Sequence, residues 1–97
     1  MQIVGSVSKD GSKKNGDIEY FSSQRFPIDT THKDGRYKVS FNNNFIKTPV
    51  VIASGDGGSA GCFIEVVEVT KGYFIAESRD YDNHGLNDSG FNFIAIL

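Results

Sequence analysis

No stretch of this chain repeats its apolar residues at the three-to-four spacing of an amphipathic helix. Runs rich in Val, Ile, Phe and Tyr recur instead, separated by clusters of Gly, Asn, Asp and Ser, and that pattern belongs to an all-β sandwich or barrel. The candidate strands are QIVGSV (2–7), IEYFSSQRFP (18–27), RYKVSF (36–41), PVVIASG (49–55), CFIEVVEV (62–69), GYFIAESR (72–79) and FNFIAIL (91–97). The segments between them, SKDGSKKNGD, THKDG, NNNF, GDGGSAG, TKG and DYDNHGLNDSG, have the chemistry of turns. Their Gly and Asn residues accept positive φ, and their Asp side chains bond the local backbone.

Alternation assigns faces. In RYKVSF, Tyr37, Val39 and Phe41 share one side and Arg36, Lys38 and Ser40 the other, as in a strand with one face in a core and one in water. FNFIAIL sets Phe91, Phe93, Ala95 and Leu97 against Asn92, Ile94 and Ile96. Strict alternation in CFIEVVEV groups Phe63, Glu65, Val67 and Val69 on one side and Ile64, Val66 and Glu68 on the other. A two-sheet sandwich needs only one apolar face per strand. The surplus has two readings: a second buried surface, most economically between subunits, or central strands covered on both sides by long loops.

The 97 residues make one domain, 1–97. A chain this short buries only about 60–65% of its unfolded surface, so burial between copies would add noticeably to its stability. The net charge of −2 gives nucleic acid no electrostatic footprint. The halves differ in sign, +3 over 1–48 and −5 over 49–97, a difference that solvated faces of ordinary domains also show. A single cysteine, Cys62, rules out an internal disulfide. No apolar run approaches the roughly 18 residues of a membrane helix, and the start MQIVGSVSKDG lacks the form of a secretory signal. The expectation is cytoplasmic synthesis without membrane insertion, with later release by lysis or an unconventional route left open.

Catalytic and metal motifs fail on inspection. DYDNHGLNDSG (80–90) places Asp80, Asp82, His84 and Gly85 at positions one, three, five and six of a calcium loop, but position five is His and position twelve is Phe91 instead of a bidentate Glu. GDGGSAG (55–61) is glycine-rich, yet a strand pattern follows it where a phosphate loop needs a helix N-terminus. Cys62 opens an apolar strand and reads as a small buried hydrophobe. Glu65 and Glu68, three apart on a strand, are expected on opposite faces. Asn87-Asp88-Ser89 is a glycosylation sequon that matters only if the chain is secreted. The chain is therefore expected to be no enzyme and to need no cofactor or metal. Binding is better supplied: an Asp/Asn-rich loop carrying Tyr81 and His84 offers planar donors and acceptors for vicinal hydroxyls, and a ring face for the C–H patch of a sugar.

The order YKVSFNNNFIKTPVVIAS, VVEVTKGYFIAESRDYDNHG, GFNFIAIL resembles the H-type lectin domain over residues 36–97, and with QIVGSV as first strand over the whole chain. The resemblance implies a six-stranded antiparallel β-sandwich that oligomerises through sheet faces as a homotrimer or hexamer. It also implies binding of galactose or N-acetylgalactosamine between neighbouring subunits, in the service of adhesion or agglutination. By position, the family's binding-loop Trp falls on Tyr81, the adjacent polar residue on Asp82 and the closing Tyr on Asn87. The family's acidic ligand falls near Asp29 or Thr30. The family's sugar-contacting Arg falls near Gly61, where this chain has none. The resulting sugar-binding set is Tyr81, Asp82, His84, Asn87 and Asp29, with Asp88 available to help rebuild a polar site. Similar domains also end phage tail fibres, where trimerisation and receptor binding replace the standard sugar site, and GFNFIAIL suits that group equally.

Overall fold

A computed structural model describes residues 1–16, 20–56 and 61–97. Its strands are β1 (Gln2–Val7), β2 (Lys13–Gly16), β3 (Phe21–Arg25), β4 (Arg36–Phe41), β5 (Val50–Gly55), β6 (Cys62–Val69), β7 (Tyr73–Asp80) and β8 (Phe91–Ile96). They form two four-stranded antiparallel sheets, β2-β1-β8-β5 and β3-β4-β7-β6, hereafter the first and second sheets. Among the described residues no helix is long and apolar enough to cross a membrane.

Eight strands among the described residues correct the expected six. The added β2 lies inside SKDGSKKNGD, whose polar Lys-Lys-Asn-Gly carries no apolar alternation. It forms because the chain reverses tightly after β1. Asp10 accepts from the Ser12 amide at 2.9 Å, Ser8 N–H donates to Ser12 O at 2.7 Å, and the returning segment pairs with Gly5, Ser6 and Val7. Main-chain bonding to a strand already in place is sufficient, since the geometry of a hairpin turn fixes the register of the returning strand. The candidate strand 18–27 is realised as Phe21–Arg25; residues 17–19 lie outside the described residues, as do 57–60 of the glycine-rich segment.

The core joins the sheets through aromatic rings. Ile3, Val7, Phe91, Phe93 and Ala95 point in from the first sheet, and Phe21, Tyr37, Val39, Phe41, Phe74 and Ala76 from the second. Phe93 meets Phe21 edge-on at 5.1 Å and Phe74 at 5.0 Å, while Tyr37 tilts against Phe91 at 5.5 Å. Edge-to-face pairs are favoured because the positive ring edge meets the negative ring face. Gly5 makes room for this: a Cβ there would stand 2.5 Å from the Phe21 ring. The alternation read in β4 and β8 holds in both strands.

In β6 it does not. A bulge between Val66 and Glu68 leaves Val67 unpaired, and the ladder resumes with Glu68 opposite Ile75 and Val69 opposite Phe74. Ile64, Val66 and Val69 therefore all pack against the core, and Glu65 and Glu68 share the outer face, contrary to the expectation of opposite faces. One extra residue shifts the two-residue period by one, which reverses every side chain beyond it.

The outer faces of the two sheets differ in kind. Across β1, β8 and β5 the register stacks three rows: Gln2–Ile96–Val50, Val4–Ile94–Ile52 and Ser6–Asn92–Ser54. Val4, Ile52, Val50 and Ile96 are all exposed there. The second sheet presents Arg36, Glu77 and Glu65 in one row and Gln24, Lys38, Ile75 and Glu68 in the next. The C-terminal ends of β1, β3, β5 and β7 lie at one end of the sandwich, because Val7, Phe91 and Gly55 are neighbours in one sheet and Arg25, Arg36 and Glu77 in the other.

Candidate functional site

The loop between β7 and β8 stands at that end. Its tip closes on itself: His84 N–H donates to Asp80 O, Asp80 N–H donates to Gly85 O, and Asn83 Oδ1 caps the Gly85 amide at 2.7 Å. Arg79 holds the His84 carbonyl at 2.8 Å. These bonds keep His84 at φ +59°, a left-handed conformation that costs a residue with a Cβ roughly 1–2 kcal/mol. Tyr81 N–H donates to Gly61 O, which ties the tip to the start of β6.

Gly61 leads to Phe63, which lies opposite Arg79 on the outer side of the second sheet. Its ring is flanked by Tyr81, tilted 39° at 5.2 Å, and by His84, edge-on at 6.1 Å. Tyr81 is 64% exposed, so a large apolar ring is held at the tip of a bonded loop with most of its surface in water. In the sequence Phe63 reads only as part of an apolar strand. The signal that it is a second ring of the site is its cross-strand position beside the loop, which depends on knowing that β6 and β7 pair.

The proposed sugar-binding residues fall into three places. Tyr81 and His84 come together around Phe63, with the exposed Asp82 between them in the chain. Asn87 sits below the tip, where its side-chain amide donates to Asp80 Oδ1 at 3.0 Å and to Cys62 Sγ at 3.8 Å. Asp29 lies in the connection between β3 and β4. Its Oδ1 accepts from Thr31 N at 2.8 Å, Thr31 Oγ1 at 2.9 Å and His32 N at 2.7 Å. Donation from His32 and Thr31 holds the Asp29 carboxyl far below the usual carboxylate range. The adjoining Thr31, His32, Lys33 and Asp34 line, with Leu86, an open depression of about 240 Å³.

Asp88 faces inward. It pairs with Arg25 and accepts from the Gly35 amide at 2.7 Å. The Tyr37 hydroxyl lies 3.0 Å from Asp88 Oδ1 and 2.8 Å from Lys9 O, two acceptors sharing one proton, and itself accepts from Ser89 N–H at 3.2 Å. Burial, then the Asp88 carboxylate, push the Tyr37 hydroxyl far above its ordinary pKa, so it stays a donor. This clasp joins the connections after β1, β3 and β7. It requires glycine at position 35, where φ is +78° and a Cβ would stand 2.6 Å from Asn87 N. Asp88 is thus engaged in holding the loop.

The Cys62 thiol donates to Asp80 at 3.5 Å, and burial raises its pKa, the opposite of what an activated thiolate needs. Among the described residues its side-chain partners include neither histidine, and no group of three His, Cys, Asp or Glu side chains is arranged to hold a metal ion.

No family model, curated protein or solved structure matches the chain. The ring platform, with its polar neighbours, must speak for itself.

Proposed function

We propose that the chain is a non-enzymatic carbohydrate-binding module that recognises a galactose- or N-acetylgalactosamine-type sugar, presented in several copies as a homotrimer or hexamer. The observation that carries this reading is the Tyr81 ring, backed by Phe63 and left open to solvent on a loop closed by its own hydrogen bonds. A preorganised ring can stack on the apolar C–H patch of a sugar without an added ordering cost. Asp82 and His84 stand next to that ring and supply hydroxyl-bonding groups, while Asn87 and Asp29 contribute only through the lone pairs their internal bonds leave. Single sites of this kind are weak, and several on one particle convert weak affinity into avidity.

The test is a glycan array probed with the wild-type chain and with Tyr81→Ala. The expected result is signal on galactose-type glycans that falls about tenfold or more in the variant, the loss of roughly 1.4 kcal/mol of stacking. A blank array, or a signal indifferent to Tyr81→Ala, removes this site. The second reading, a trimeric receptor-binding or assembly domain of a tail-fibre-like protein without a sugar site, is favoured by one specific feature. Asp29, Asn87 and Asp88, polar groups that would serve a sugar, are engaged in bonds within the chain.

A further inference from the structure

We propose that the depression lined by Thr31, His32, Lys33, Asp34 and Leu86 is a second saccharide subsite. The ligand is then a neutral oligosaccharide of two or more rings, laid across the end of β7 with its terminal sugar on Tyr81 and the next ring in the depression. This inference rests on the sugar-binding reading of Tyr81 and adds to it the length and charge of the glycan.

Hydrogen bonds set the two places on opposite flanks of β7. In an antiparallel ladder the N–H and C=O of one residue point to the same neighbouring strand, and those of the next residue point to the other. Tyr81 N–H reaches Gly61 O, on the side of β6. Asp80 bonds Gly85 O and the His84 amide, and Ser78 bonds Gly35 O and the Asn87 amide, all on the side of β4. The loop therefore starts beside β6, with Tyr81 against Phe63, and returns on the side of β4. There Leu86 bridges to Arg79 and meets the segment 31–34 that leads into β4. The two flanks are two strand spacings apart, roughly 10 Å. One pyranose ring does not cover that span, and a short oligosaccharide does.

The lining is mixed and balanced in charge. Lys33 and Asp34 are exposed and opposite in sign, and the side chain of neither has a hydrogen-bond or ion-pair partner among the described residues. The His32 ring is held in place, with Nδ1 at 3.0 Å and 3.1 Å from the two Asp29 oxygens, and that grip leaves Nε2 for a ligand. Asp29 thus acts here by positioning His32. An anion would gain from Lys33 and lose to Asp34, and a cation would meet the reverse. A neutral polyol uses every group: the ammonium donates, the carboxylate accepts, the imidazole nitrogen and the Thr31 hydroxyl bond further hydroxyls, and Leu86 takes the C–H face. At about 240 Å³ the depression lies below the range that buries a whole drug-sized ligand, about 300–1,000 Å³, and suits a single ring of a longer chain.

Calorimetric titration with methyl β-galactoside, lactose and N-acetyllactosamine tests it, because the two disaccharides carry the same galactose with a second ring. At least one disaccharide is expected to bind the wild-type chain about fivefold or more tighter than the methyl glycoside. Lys33→Ala and, separately, Asp34→Ala should reduce that advantage toward onefold with methyl galactoside affinity unchanged, while Tyr81→Ala should weaken all three sugars. In nuclear magnetic resonance titrations, lactose should move the amide signals of Thr31, His32, Lys33 and Leu86, and methyl galactoside only those of the loop tip. Equal affinity for one ring and two, or an advantage that survives both substitutions, overturns the second subsite and leaves the Tyr81 reading standing. Loss of methyl galactoside binding in the Lys33 and Asp34 variants would merge the two places into one and overturn it as well. Movement of the same amides by inorganic phosphate alone would assign the depression to an anion. A chain that binds none of these sugars, on the array or in solution, removes the Tyr81 reading and this inference together.

Discussion

Ile75 and Ile52 are the same residue on the outward faces of two sheets in one small domain, yet Ile75 is 3% exposed and Ile52 is 62% exposed. The second sheet covers its isoleucine with its own side chains. Lys38 lies over the Phe26 ring at 5.1 Å and the Tyr73 ring at 4.4 Å, and Tyr73 donates its hydroxyl proton to Glu68 at 3.2 Å. Arg36 stacks on the other reach of Phe26 at 5.2 Å, and Glu77 binds Arg79 at 2.6 Å and Arg36 at 3.4 Å. Long amphipathic side chains lay their stems over apolar surface and keep their charges in water. Apart from Gln2 at one corner, β1, β8 and β5 of the first sheet turn only short Val, Ile, Ser and Asn side chains outward, and none of these is long enough to fold over its neighbours. One sheet covers its apolar side chains with its own; the other leaves Val4, Val50, Ile52 and Ile96 exposed.

The sharpest test of that contrast is a pair of identical substitutions. Ile75→Ala is expected to cost about 2–4 kcal/mol in chemical denaturation, the usual range for emptying a covered aliphatic site. Ile52→Ala, measured at submicromolar concentration where copies are apart, is expected to stay within about 0.5 kcal/mol of wild type. Equal losses would mean that both faces are alike in solution, and the contrast would fail.

Next in size is Glu77→Ala. Glu77 is 8% exposed and is the carboxylate between two guanidinium groups, so its removal strands Arg36 and Arg79 against each other. A loss of about 2–3 kcal/mol in urea unfolding is expected. Restoration of stability by a second change, Arg79→Met, would show that the stranded charge carries the loss. A smaller effect, about 1 kcal/mol, is expected for Lys38→Ala, which removes a cation shared by two rings. Thermal melts at matched salt resolve a change of that size.

The two sheets are also unequally legible in the sequence. β4 and β8 can be read with both faces because strict alternation survives in them, and the surplus of Ile94 and Ile96 is visible in the same way. Whatever depends on a neighbour escapes such a reading. β2 exists through its ladder to β1, the Val67 bulge is a mismatch between β6 and β7, and Glu68 changes sides only because of it. Composition locates the loop tip, with Tyr81 outward. It does not distinguish Asp82, which faces water, from Asp88, which is turned inward onto Gly35 and Tyr37, because both are simply Asp in a polar loop. Nor does it show that Phe63 stands beside Tyr81, eighteen residues away in the chain.

The smallest expected effect is that of salt, and it separates the faces by mechanism. Raising NaCl from 0.05 M to 1 M shortens the screening length to about 3 Å. Attraction between charges on the second sheet weakens, but Glu77 is covered and its partners are in direct contact, so a fall in monomer stability of less than about 1 kcal/mol is expected. Copies of the proposed homotrimer or hexamer that meet through the first sheet should not separate at all. The nine outward positions of β1, β8 and β5 hold no charge to screen, and concentrated salt disfavours exposed hydrocarbon. Sedimentation across the salt range, beside urea titrations of Ile52→Lys as a monomer reference, measures both. Dissociation in 1 M NaCl would transfer the joining force from the branched rows to charged groups such as the Lys14–Asp56 pair, and the contrast between the two faces would lose its electrostatic half.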